Sequence, residues 1–117
     1  MKLWNFIKEQ MLENPKQPIS KDTTVLTCEE AVMWAEMFAK KLHGVRSCAI
    51  LCSSELDTAM AILACFAAEV TAIPLSVRYD EGSHHHILDT VRPDAIMMDT
   101  GDTITLYPCS SGLPICV

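Results

Sequence analysis

The sequence predicts an α/β fold: three layers, with a mainly parallel sheet in the middle and helices on both of its faces. Three observations lead there. Half of the 117 residues are apolar, with only 4 glycines and 6 prolines, the composition of a packed core rather than of a disordered tail or a fibre. Short, uniformly apolar runs such as Ser47–Cys52 and Ala95–Met98 read as strands covered on both faces. These runs alternate with segments of helical periodicity that begin at capping residues, the order that βαβ units require.

The first helix is predicted from Leu3, Phe6, Ile7 and Met11, apolar residues at helical spacing among Lys2, Lys8, Glu9 and Glu13, and Asn14-Pro15 ends it. Pro15 to Thr23 reads as a polar connector, and Thr24–Thr27 as a short strand. Thr27 followed by Glu30 is a capping box, in which each side chain satisfies a backbone amide of the helix start. The second helix therefore carries Ala31, Trp34, Ala35, Phe38 and Leu42 on one stripe, pairs Glu36 with Lys40 at i,i+4, and stops at a left-handed Gly44.

Ser47–Cys52 is a buried strand, and Ser54 with Asp57 caps a third helix from Glu55 to Ala68. That helix is apolar nearly all round, which places it centrally. Thr71–Leu75 is the next strand, with Pro74 at its end. Asp80 caps a helix through Val91 that Arg92-Pro93 closes, and Ala95–Met98 is a further strand before the turn Asp99-Thr100-Gly101-Asp102. Strand-like pieces remain in Thr103–Leu106 and Leu113–Val117, an apolar end that reads as cut rather than finished.

The bulk numbers exclude several classes. A length of 117 residues allows one domain and no second one, with about two-thirds of the unfolded surface buried. A net charge of -6 argues against nucleic acid as a partner. The uncharged, alanine-rich stretch Thr58–Ala68 falls short of the roughly 20 residues that span a bilayer. The six cysteines, Cys28, Cys48, Cys52, Cys65, Cys109 and Cys116, have no CxxC spacing, and the N-terminus has no export signal. They read as free thiols of a cytoplasmic protein.

Side chains with chemical potential are few. His84-His85-His86, with Asp80, Glu81 and Asp89 nearby, invites a metal, but consecutive helical residues diverge by about 100° and only pairs such as Asp80-His84 or His85-Asp89 share a face. Cys65 has no basic residue near it in sequence to stabilise a thiolate. Ser53-Ser54 lacks the Gly-x-Ser-x-Gly setting of a nucleophile elbow. Met97-Met98 is core filler. The expectation is no catalytic, cofactor-binding or metal residue in this chain.

From Leu3 to Asp99 the sequence resembles the N-terminal portion of the adenylate-forming superfamily: acyl-CoA synthetases, luciferases and adenylation domains of nonribosomal peptide synthetases. Leu26-Thr27-Cys28-Glu29-Glu30-Ala31 is similar to "L-T-Y-x-E-L", Ala35–Val45 to "A-x-x-L-x-x-x-G-V", and Cys48–Leu56 to "V-A-I-L-x-x-N-S-x-E-L". Ala67–Tyr79 resembles "K-A-G-A-x-Y-V-P-L-x-P-x-Y", and Ile87–Asp99 resembles "I-L-x-x-x-x-P-x-x-I-I-x-D". Glu69 stands where the family has Gly, Val77 where it has Pro, and Gly82-Ser83 where Glu-Arg is common. The family's phosphate loop, "S/T-G-S/T-T-G-x-P-K", finds only an echo in Ser110–Ile115, which has one Gly and no following Lys and reads as a turn.

The resemblance implies an N-terminal subdomain of an AMP-forming ligase that, when complete, activates a carboxylic or amino acid as an acyl-adenylate with ATP and magnesium. It implies a scaffold that is inactive alone, whose partner is the remainder of the adenylation domain. The rival class is a stand-alone, non-catalytic α/β binding module that forms a homodimer through its unfinished sheet edge.

Overall fold

The computed structural model describes residues 2–21, 24–75, 81–100 and 103–108. In chain order the elements are α1 (Lys2–Leu12), β1 (Pro18–Lys21), β2 (Thr24–Thr27), α2 (Cys28–Ala39) with a 3₁₀ turn at Lys40–Leu42, β3 (Ser47–Leu51), α3 (Glu55–Ala68), β4 (Thr71–Pro74), α4 (Glu81–Val91), β5 (Ala95–Thr100) and β6 (Thr103–Pro108). Asp80, the turn residues Gly101 and Asp102, Val77, and the Ser110–Ile115 echo with Cys109, Cys116 and the Leu113–Val117 piece lie outside the described residues.

The main sheet has the order β4-β3-β5-β6. β3 pairs in parallel with β4 and with β5, and β6 runs antiparallel to β5. Alternation along each strand divides the core between two faces. Cys48, Ile50, Ala95 and Met97 pack with Phe38, Leu42, Ala61, Ala64 and Cys65 under α2 and α3. Ala49 and Ile96 pack on the other face with Leu75 and Leu88, under α4. The predicted three-layer α/β architecture is what the chain adopts.

α3 is the central helix. Ala61, Ala64 and Cys65 are wholly buried, and the small side chains let β3, β4 and α2 approach closely. Ser54 caps it as predicted: its Oγ accepts from the Asp57 amide at 3.3 Å. The Thr27–Glu30 capping box of α2 is present at both ends, at 2.9 and 3.1 Å. Gly44 holds φ +84°, the left-handed turn after the 3₁₀ extension.

Four local expectations are corrected. The strand at Thr24–Thr27 does not join the main sheet: it forms a separate antiparallel hairpin with β1, within the segment expected as a polar connector. With Thr27 already the N-cap of α2, no residues are left to carry this strand into a parallel crossover, so it pairs with its sequence neighbour. On α1, Trp4 is buried while Leu3 and Phe6 are 47% and 59% exposed. Trp4, Ile7 and Met11 form the inward stripe. Glu36 turns to α1 and not along its own helix to Lys40: its Oε2 accepts from the Trp4 indole at 3.2 Å and Lys8 Nζ at 2.8 Å. Finally, β5 continues through Asp99 and Thr100, where the sequence predicts a turn.

Candidate functional site

In an open α/β sheet, ligands collect outside the carboxyl ends of the strands, where successive connections leave in opposite directions. That place is defined here by topology. α3 carries the chain from β3 to β4 on one face, and α4 carries it back past β3 to β5 on the other. The switch point therefore lies between β3 and β5, and the register pairs Leu51 with Met98. The next residues, Cys52 and Asp99, stand at its mouth.

Asp99 organises this corner. Both its oxygens accept from the Ser53 amide at 2.9 Å, and Oδ2 also accepts from the Ser53 hydroxyl and the Ser54 amide, each at 3.0 Å. These donors belong to the start of α3, where unpaired amides and the helix dipole favour an anion. Burial pushes the Asp99 carboxyl up, but the Ser53 and Ser54 amides, the Ser53 hydroxyl and Asp57 together hold it below the ordinary aspartate range. Asp57 moves the other way, raised by burial and then by its hydrogen bond to Asp99 and that group's charge. The hydrogen bond between the two carboxyl groups thus goes with shifts in opposite directions, Asp57 up and Asp99 down.

Cys52 sits beside them, buried, with its thiol pushed up to about 12 by burial and by the charges of Asp99 and Asp57. A thiol so disfavoured as thiolate is no nucleophile. Ser53 and Ser54 serve as donors and cap: the Ser53 hydroxyl donates to Asp99, whose lowered pKa makes it a weak base, and the Ser54 hydroxyl accepts from the Asp57 amide. The arrangement can pin the α3 start to the end of β5, and it fills with a side-chain carboxylate the anion cradle that a phosphate would otherwise take.

The other sequence candidates lie elsewhere. His85 and His86 are exposed and His84 half-buried on α4, and Asp89 lies 3.9 Å from Arg92 Nη2. Among the described residues no group of three or more metal-ligating side chains converges. Cys65 is wholly buried in α3, where a hydrogen bond with the Cys48 side chain draws its pKa down against the effect of burial. Asp99 was missed by sequence reasoning. The available signal was an acidic residue directly after an apolar strand, which becomes informative only once β5 is known to lie beside β3.

The fold is that of the N-terminal region of adenylate-forming enzymes. The chain is similar to the adenylation domain AlmE of Vibrio cholerae, solved in complex with glycyl-adenosine-5'-phosphate: 27% identity, a TM-score of 0.71, and coverage of 81% of this chain and 19% of that one. It is also similar to the o-succinylbenzoate CoA synthetase MenE of Bacillus subtilis, in complex with its acyl-adenylate intermediate (18% identity, TM-score 0.70, 97% of this chain and 30% of that chain). A fatty acid AMP ligase from Legionella pneumophila superposes with 20% identity and a TM-score of 0.67 over 82% of this chain and 19% of its own. The chain thus spans between a fifth and a third of the length of these proteins. No family model and no curated protein sequence matches it. No described helix is long and apolar enough to cross a membrane.

Proposed function

We propose that this chain is the N-terminal scaffold subdomain of an AMP-forming ligase of the cytoplasm, inactive by itself, whose complete form activates a carboxylic or amino acid as an acyl-adenylate. One observation carries the reading: 97% of the chain superposes on the o-succinylbenzoate CoA synthetase solved with its acyl-adenylate intermediate, yet covers only 30% of that protein. Its partner is the remainder of the adenylation domain. The free thiols of Cys28, Cys48, Cys52 and Cys65 fit a reducing compartment.

ATP and magnesium belong to the complete enzyme in this reading. The residues at the switch point do not fit them: the amides of Ser53 and Ser54 are taken by Asp99, a second carboxyl group from Asp57 stands beside it, and a triphosphate would meet like charge.

Calorimetric titration of the chain with Mg-ATP tests the scaffold role, with no saturable heat expected. Micromolar binding would overturn it. Pyrophosphate exchange by a protein in which this chain is followed by its own downstream coding sequence tests the ligase. Acid-dependent exchange is expected there and absent from the chain alone; a longer protein that forms no adenylate with any of a broad set of acids overturns the reading.

A further inference from the structure

The outer face of α2 is apolar where a solvent-facing helix is ordinarily polar. Met33 and Met37 are 65% and 63% exposed, the highest values for large apolar side chains among the described residues. They sit one turn apart, on the side of the helix opposite buried Ala31, Ala35 and Phe38. Glu30 and Lys40, the latter the C-cap of α2, are exposed and extend the same line. The four positions succeed one another at intervals of three, four and three residues, the spacing of a seam between two helices. That seam reads acid, methionine, methionine, base. Both charged ends keep bonding capacity: the cap bond of Glu30 to the Thr27 amide uses Oε1, and Glu36, one turn before Lys40, is turned to Trp4 and Lys8.

The order of charges along the seam chooses the occupant. Laid parallel, two such seams set Glu30 on Glu30 and Lys40 on Lys40. Laid antiparallel about a twofold axis level with Ala35, they set Glu30 on Lys40 and Met33 on Met37, each pair made twice. A face that complements itself under a twofold rotation is what an isologous dimer requires, and an unlike partner would need no such mirrored order. We propose that α2 is the contact of a symmetric, antiparallel dimer of this chain, with Met33 and Met37 of the two copies interleaved at its centre and an ion pair between Glu30 and Lys40 at each end. Methionine suits the centre, because an unbranched, polarisable side chain fills the gaps left by another of its kind. The ion pairs set direction more than strength, since exposed pairs contribute little. A seam the length of one short helix lies at the small end of interface sizes, so its dissociation constant is on the order of 0.1 mM. The contact rests on α2 and not on the sheet edge, and it stands whether or not the ligase reading holds.

Sedimentation velocity of the full chain, in reducing buffer from about 10 µM to about 1 mM, should show a concentration-dependent dimer. M37E should weaken it at least about tenfold, K40E about tenfold, and K40R by no more than about threefold. Met37 and Lys40 are exposed, so these variants retain the fold, which far-UV circular dichroism checks. F6E, on the exposed apolar part of α1, is the control and should leave the dimer as it was. Direction is read by zero-length carbodiimide cross-linking. Glu30 and Lys40 lie about 15 Å apart along their own helix, so an amide between them joins two copies, and mass spectrometry of the cross-linked dimer should find it. A chain that is monomeric at about 1 mM would overturn the proposal and leave the face to the remainder of a longer protein. A dimer indifferent to M37E, a dimer lost in F6E, or a cross-linked dimer without the amide between Glu30 and Lys40 would overturn it as well.

Discussion

The Asp99 carboxylate, at the end of β5, accepts from both the amide and the hydroxyl of Ser53, 46 residues earlier in the chain. With the Ser54 amide added, one side chain gathers three donors and ties the third strand of the main sheet to the start of its central helix. The cap of α3 is therefore shared: Ser54 provides its hydroxyl to Asp57 N, and Asp99 occupies the amides that a capping-box carboxylate from within the helix would take.

Replacing Asp99 by Ala should destabilise the chain by about 1–2 kcal/mol, the lower part of the range for bonds to a charged acceptor, because Ser53 is open to solvent. D99N, which keeps one acceptor oxygen, should lose less. Urea unfolding followed by far-UV circular dichroism checks both, and a D99A midpoint equal to the parent's would refute the shared cap.

The same pair sets a pH dependence with two opposite limbs. Asp99 has a lowered folded pKa, so its contribution is complete above the ordinary aspartate value and is lost as pH falls through the folded one. Asp57 has a raised folded pKa, so its contribution is complete below the ordinary value and is lost as pH rises through the folded one. D57N preserves an amide donor to Asp99 and does not titrate. The stability difference between parent and D57N, measured by urea unfolding across the acidic range, should favour the parent most at low pH and shrink as pH rises. A difference that grows with pH would contradict the raised pKa of Asp57.

Glu69 closes α3 in the left-handed region, at φ 61° and ψ 38°. A residue with a Cβ is strained there, and E69G should raise stability by about 1 kcal/mol. E69A is the control, since alanine keeps the strain and should give no gain. Thermal unfolding of the three proteins separates the backbone effect from loss of the carboxylate.

Docking of α1 rests on Trp4, which is 4% exposed and packs against Val32 and Ala35. W4A should cost about 3 kcal/mol and strip amide-exchange protection from Lys2–Leu12 before any other helix. E36Q weakens only a half-exposed ion pair and should cost about 0.5 kcal/mol. Exposed Leu3 and Phe6 provide the contrast: F6A should leave α1 protected.

Much of this molecule was legible in one dimension. The Thr27–Glu30 box, the Ser54 cap, the central α3 and the two-faced burial of β3 and β5 follow from spacing within a few residues, because capping and periodicity are local. Where two local readings competed, the sequence contained no tie-breaker. The stripes through Leu3 and through Trp4 are both helical, and the buried one is the stripe whose indole finds Glu36 on α2. The same contact takes Glu36 away from Lys40.

What the sequence by itself determined is the four helices, the strands from Thr24 onward, their order and the α/β class. Tertiary structure alone decided that β2 leaves the main sheet for a hairpin with β1, that Trp4 rather than Leu3 is the buried residue of α1, and that Asp99 rather than Asp57 serves the Ser53 and Ser54 amides. The reason is physical. Each of these depends on which strands and helices become neighbours and in what register, and that choice is made by the packing of surfaces tens of residues apart, which no local period records.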